Sequence, residues 1–173
     1  MTLHRLEVYL PQPRDLSGHC HLIGPTGAVK FTAPILGKAD NQAAIDAGNP
    51  ERDPLKPYGD TPAGEYLPAR FTDVTQPDKW PRLGKRRIVL IGATGAAAMA
   101  TAAAIPQHVE VAGAGCGGRT GLALHAGRDE DQRTQRGQLV ATQGCLRMLP
   151  WDLAKLDRET NGEPILVRVT DLA

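Results

Sequence analysis

No sign of charge dominates this chain: twenty Lys and Arg stand against nineteen Asp and Glu, for a formal net charge of +1. A sequence so balanced projects no field that favours nucleic acid or an anionic membrane as its main partner. There is no apolar run near the roughly 20 residues that a membrane-spanning helix takes, so no membrane insertion is expected. The opening MTLHRLEVYLPQPRD alternates apolar and polar residues and carries charge early. That is unlike the basic, apolar and small-residue succession of a secretory signal, so no removable leader is expected. Repeats, low-complexity tracts and linker-like stretches are also missing. A length of 173 residues suits one core without help from metals or multiple disulfides, so a single domain over 1–173 is expected. Cysteine is scarce and odd in number. With only Cys20, Cys116 and Cys145, at least one thiol stays unpaired within a monomer. No metal set stands out either: His19 and His21 alternate with Cys20, which on a strand puts the imidazoles on one face and the thiol on the other.

What the chain does have is fourteen prolines and nineteen glycines, which interrupt helices and favour turns. The composition predicts strands and loops with few helices. Leu3, Leu6, Val8 and Leu10 mark a first strand, and HLIG and AVKFTAPIL around Pro25-Thr26-Gly27 mark a hairpin. Residues 39–64 are polar and rich in Pro, Gly and Asp, so they predict a long surface loop with one helical turn at NQAAIDA. Arg87–Ile91 carries the strongest strand pattern, followed by a glycine turn and an alanine-rich helix that Pro106 stops. VEVAG, GLALHAG and GQLVATQG predict short strands, Pro150 starts a helix, and Ile165–Val169 closes with a β-branched strand.

Chemistry concentrates in Leu124-His125-Ala126-Gly127 and Thr142-Gln143-Gly144-Cys145-Leu146-Arg147-Met148, joined by the charged stretch GRDEDQRTQRGQ. A thiol attacks carbonyls as thiolate, and an ordinary pKa near 8.5 leaves few thiolates at neutral pH, so a nucleophilic Cys145 needs a base. His125 is the candidate. Gly144, without a Cβ, lets backbone N–H groups approach a developing oxyanion, and the N–H groups of Gly144 and Cys145 are the expected donors. Arg147, two positions beyond the thiol on an extended chain, faces the same way as Cys145 and suits a substrate carboxylate.

The order H-x-G, then about sixteen residues to [S/T]-x-G-C-[I/L]-R-[M/L], resembles the L,D-transpeptidase (YkuD-like) catalytic domain family. Cys145 matches the family nucleophile, His125 the upstream base and Gly127 the glycine beside that base. Gly144, Leu146, Arg147 and Met148 match the residues that flank the thiol. Upstream, the segment from Tyr58 to Tyr66, YGDTPAGEY, is similar to the family's G-x-x-T-P-x-G-x-[YF] motif. The family's usual S-H-G-C is Thr142-Gln143-Gly144-Cys145 here, so an uncharged amide that donates a hydrogen bond but takes no proton replaces a histidine. The resemblance implies a mainly β fold, a mixed sheet or sandwich with one or two short helices. It implies a cysteine acyltransferase that acts on peptidoglycan stem peptides, with transpeptidation, carboxypeptidase trimming and D-amino acid exchange left open. Thr142, Gln143, Gly127 and Tyr66 join Arg147 as implied substrate contacts, and neither metal nor organic cofactor is implied. The implied place of action is the cell envelope, reached through a specialised secretion apparatus, with an immunity partner, if the protein is an antibacterial effector.

Two rival readings remain at this level. Ile88–Ala98, IVLIGATGAAA, runs strand, glycine turn and helix, and Glu110 follows at about the spacing of a ribose-binding acid, as in a nucleotide-binding module using the Gly92–Gly95 turn. GAGCGG at 113–118 is a weaker glycine-rich candidate. The other rival is a binding protein that keeps the L,D-transpeptidase-like fold and has lost its chemistry with Gln143.

Overall fold

The computed structural model describes residues 3–101, 119 and 121–173, and these fold mainly as β-structure in two mixed sheets. The first sheet contains β1 (His4–Pro11), β2 (Gly18–Ile23), β3 (Val29–Ile35), β4 (Gly64–Glu65) and β9 (Ile165–Leu172), in the order β3-β2-β1-β9-β4. Central β1 runs antiparallel to β2 and parallel to β9. The period-2 pattern explains its placement: Leu6, Val8 and Leu10 are fully buried, and β3 buries Phe31, Ala33 and Ile35 between exposed neighbours. The predicted hairpin turn forms where Gly27, at φ +86°, donates its N–H to Gly24 O at 2.9 Å. On β2 the His19 and His21 rings lie 5.1 Å apart on one face, while Cys20 is fully buried on the other.

The second sheet orders β5 (Thr72–Asp73), β6 (Arg86–Val89), β7 (Ala123–His125) and β8 (Leu146–Arg147). Its pairs are antiparallel except β7 with β8, which is parallel. Ile88, Leu124 and Leu146 point from it into the same buried cluster as Leu6, Val8, Ile165 and Val167 of the first sheet. The two sheets therefore share one core, which leaves the opposite face of β6-β7-β8 free to carry polar side chains.

Five short α-helices occur among the described residues rather than one or two: α1 (Asn41–Asp46), α2 (Trp80–Leu83), α3 (Gly95–Thr101), α4 (Gln132–Gln135) and α5 (Pro150–Thr160). α1 and α4 arise in polar loops through local capping, with Asp40 accepting from Ala43 N–H and Asp131 from Arg133 N–H. α5 starts on Pro150, buries Leu153, Leu156 and Thr160, and ends at a left-handed Asn161. Within the described residues no helix is long and apolar enough to cross a membrane.

The structure corrects two expectations. Residues 137–144 form no strand, only isolated bridges from Ala39 to Thr142 and Gln143, because Gly137 (φ +79°) and Gly144 (φ +99°) turn the chain out of extension at both ends. The nucleotide-binding reading also fails. β6 has antiparallel neighbours on both sides, whereas a dinucleotide fold needs a parallel crossover. The Gly92 N–H, moreover, is engaged by Thr101 Oγ1 at 2.8 Å. Pro106, VEVAG with Glu110, GAGCGG and Cys116 lie outside the described residues.

Candidate active site

Strand register builds the site. On the parallel pair, Leu124 lies beside Leu146 and His125 beside Arg147, and across the antiparallel pair Arg87 lies beside His125. Since Ile88, Leu124 and Leu146 face the core, Arg87, His125 and Arg147 form one row on the opposite face. Cys145 is the residue that leads into β8. Cys145, His125, Arg147, Thr142 and Gln143 line one cleft of about 790 Å³. Seven cationic side chains line it, among them Arg82, Arg87, Arg119, Arg128 and Arg147, against the single carboxylate of Asp40.

The buried imidazole has a defined tautomer. His125 Nδ1 lies 2.8 Å from Ala126 O, and because a carbonyl only accepts, Nδ1 carries the proton and Nε2 keeps its lone pair. Burial, with Arg147, Arg82 and Arg87 adding to it, pushes the ring down to about 3, so it is neutral at physiological pH. The Cys145 thiol is pushed up by burial, a shift that a hydrogen bond from Ala123 and the nearby arginines oppose. It donates to Gly121 O at 3.6 Å. The resting pair is therefore neutral thiol and neutral imidazole, with no direct hydrogen bond between them. Contacts between nucleophile and base commonly close only around substrate.

The turn before Cys145 is held from three sides. Gly144 N–H donates to Thr142 Oγ1 at 2.9 Å, Thr142 Oγ1 donates to Cys145 O at 3.0 Å, and Thr61 Oγ1 donates to Gly144 O at 2.8 Å. Thr142, 7% exposed, uses its hydroxyl to shape the turn and also lines the cleft; the Gly144 N–H, expected as an oxyanion donor, is engaged by that hydroxyl. No acceptor takes the Cys145 N–H among the described residues. Because a trans peptide directs its C=O and N–H to opposite sides, the Thr61 bond to Gly144 O also fixes where the Cys145 N–H points. Replacing Thr61 by Val is expected to cost about 1–2 kcal/mol of stability, the loss of a buried hydrogen bond, while Ser retains it. Urea unfolding of Thr61→Val and Thr61→Ser checks this.

Two further expected contacts lie elsewhere. Tyr66 is fully buried, gives its hydroxyl to Pro62 O at 2.7 Å and lines no part of the cleft, so it is a core residue. Gly127 packs under the chain that enters β6: at φ +79°, a Cβ there would meet Arg82 O at 2.3 Å. It supports the site from behind. Gln143 is exposed at the cleft lip.

The sequence reading passed over Arg87, Arg119 and Thr61. Arg87 was legible in principle, since it alternates with core-facing Ile88. Thr61 sits inside the quoted TPAG motif. Arg119 has no local signal: buried, it donates to Pro54 O (2.7 Å), Asp60 O (2.8 Å) and Gly59 O (2.9 Å), gathering the 54–60 loop, and its Nη2 packs where a Cβ on Gly144 would stand.

No protein-family model and no curated protein sequence matches the chain. Among solved structures it is similar to the helical cell shape determining protein Pgp2 from Campylobacter jejuni, at a TM-score of 0.52 and 13% identity, covering 98% of this chain and 49% of that one. The K307A mutant of Pgp2 gives a TM-score of 0.53 at 14% identity, with 98% and 48% covered. The chain thus spans about half the length of these proteins, and the likeness establishes a shared fold over nearly all of the present chain.

Proposed function

We propose that the cleft is the active centre of a cysteine acyltransferase that acts on peptidoglycan stem peptides, an L,D-transpeptidase whose acyl-enzyme also yields to water or a free D-amino acid. The observation that carries this reading is that adjacent parallel strands set His125 beside Arg147, with Cys145 immediately before β8 at the wall of the same cleft. The fold shared with a bacterial cell shape determining protein supports it. So does the cationic lining, which suits a peptide rich in carboxylates.

In this mechanism the Cys145 sulfur attacks the carbonyl that joins an L-centre to a terminal D-residue while His125 Nε2 takes the thiol proton. The tetrahedral oxyanion accepts a hydrogen bond from the Cys145 N–H. Collapse breaks the C–N bond, the imidazolium returns its proton to the departing D-residue amine, and a thioester remains on Cys145. An incoming amine resolves it to a cross-link or an exchanged D-residue, and water resolves it to a trimmed peptide. No step calls for a metal or organic cofactor. The place of action on this reading is the cell envelope.

Incubation with tetrapeptide and pentapeptide muropeptides, followed by product masses, tests the proposal. Loss of the terminal D-residue or its exchange is expected, with an acyl adduct on Cys145 in intact-protein mass spectra. Cys145→Ala is expected to give neither product nor adduct. Turnover that survives Cys145→Ala would overturn the reading.

A further inference from the structure

The row Arg87–His125–Arg147 lacks a partner for its charge. Arg147 is 2% exposed, yet its Nε and Nη1 donate to nothing among the described residues, and only Nη2 is engaged, by Arg82 O at 3.2 Å. Arg87 Nε, on the other side of the imidazole, is likewise buried without a partner. Buried guanidinium N–H groups are costly to leave unpaired, and these belong to side chains that line the cleft.

Carboxylates near the row do not compensate. Asp129 and Asp131, on the loop after β7, lie within electrostatic reach of Arg147, but Asp131 is held by Arg133 at 2.9 Å. Asp40 accepts from Ala43 N–H as the cap of α1. From the remaining sides His125 faces Arg82 and Arg87, and Arg128 adds to the positive surroundings of Arg147. The imidazole is thus enclosed by an excess of positive charge, which among the described carboxylates Asp129 and Asp131 offset only in part and only at Arg147.

We propose that this row is an anion subsite, and that a carboxylate of the acyl donor seated against Arg87 and Arg147 brings negative charge to the imidazole, so that donor binding itself prepares the base. The inference rests on the acyltransferase reading for the identity of the donor; the subsite itself requires only an anion of carboxylate geometry, which guanidinium groups recognise well. It also explains how a site whose resting imidazole is neutral and weakly basic becomes competent. Burial is the main reason the ring is unprotonated in the free protein, and the positive surroundings that add to it are the ones that attract the group which relieves them. A donor whose carboxylate is amidated would bind without that relief.

The test is NMR of the full chain carrying ring-15N histidine, at pH 5, with N-acetyl-D-alanine or its carboxamide as probe. In the free protein the His125 ring is neutral at this pH. The acid is expected to bind saturably and to raise the His125 midpoint by about 2 units, the size of shift a close opposite charge produces, which brings a large imidazolium fraction at pH 5. The carboxamide is expected to leave the ring neutral. Arg147→Gln is expected to weaken acid binding at least tenfold. Arg87→Gln, at a half-buried position better able to tolerate the change, is expected to do the same with the fold intact. Equal effects of acid and carboxamide, or acid binding undiminished in Arg87→Gln, would overturn the proposal. The probe has no L-centre to acylate, so this titration decides the subsite whether or not muropeptides turn over, and absent turnover in wild type would count against the acyltransferase reading alone.

Discussion

Replacing His125 with glutamine is expected to lower turnover of muropeptides by about 10²–10⁴-fold, the usual contribution of a positioned general base, and at the same time to flatten the acid limb of the stability curve. The two effects have one origin. The ring sits with Nδ1–H on Ala126 O and Nε2 open, between Arg87 and Arg147 in a buried row. Its folded midpoint of about 3 lies below the ordinary histidine value of 6.5, so between those values the unfolded chain binds a proton that the folded chain does not. Stability from this group is therefore complete above pH 6.5 and is lost as pH falls toward 3, at about 1.4 kcal/mol per pH unit where the difference is a full proton. Urea denaturation at pH 7, 5 and 4 measures it. Wild type is expected to lose several kcal/mol more than His125→Gln over that range. Parallel curves would show that the ring titrates normally. The same burial implies that kcat/KM, which reports the free enzyme, has no histidine limb near pH 6–7.

Gly144→Ala is expected to be strongly disruptive. At φ +99° an L side chain is strained, a cost of order 1–3 kcal/mol. The added Cβ would also lie 2.0 Å from Gly59 O and 2.1 Å from Arg119 Nη2. Neither obstacle gives way easily: one is backbone, and the other is a guanidinium held by the carbonyls of Pro54, Gly59 and Asp60. A total of about 3 kcal/mol or more follows, which at this size lowers Tm by roughly 6–12 °C. Acylation of Cys145 is expected to fall at least about 100-fold, since displacement of the turn by even about 1 Å misplaces both sulfur and oxyanion donor. Gly137→Ala is the control. Gly137 has φ +79° and nothing within 4 Å of an added Cβ, so it reports backbone strain alone, about 1 kcal/mol. Thermal unfolding of both variants checks the comparison, and equal losses would show that the contacts to Gly59 and Arg119 do not matter.

Local reading of the chain was sound where a pattern depends on nearest neighbours. The alternation of Leu6, Val8 and Leu10, the Pro25-Thr26-Gly27 turn and the Pro150 helix start each encode their own conformation, and each forms. Reading failed where one residue type serves two purposes. Tyr66 sits in a motif segment, yet its ring fills the core and its hydroxyl stays local on Pro62. IVLIGATGAAA forms strand, turn and helix as its composition dictates, while strand direction, which no local pattern carries, removes the nucleotide reading.

Short-range pattern suffices for a mainly β chain, for the two segments that carry a thiol and an imidazole, and for glycines where the backbone turns, because alternation, turn chemistry and φ preference act over a few residues. It takes the whole fold to set His125 between Arg87 and Arg147, to hold the turn before Cys145 with Thr61, and to leave thiol and imidazole uncharged. Those properties depend on register between strands far apart in sequence and on burial, and burial sets the charge state of a group through the water that the whole fold removes from around it.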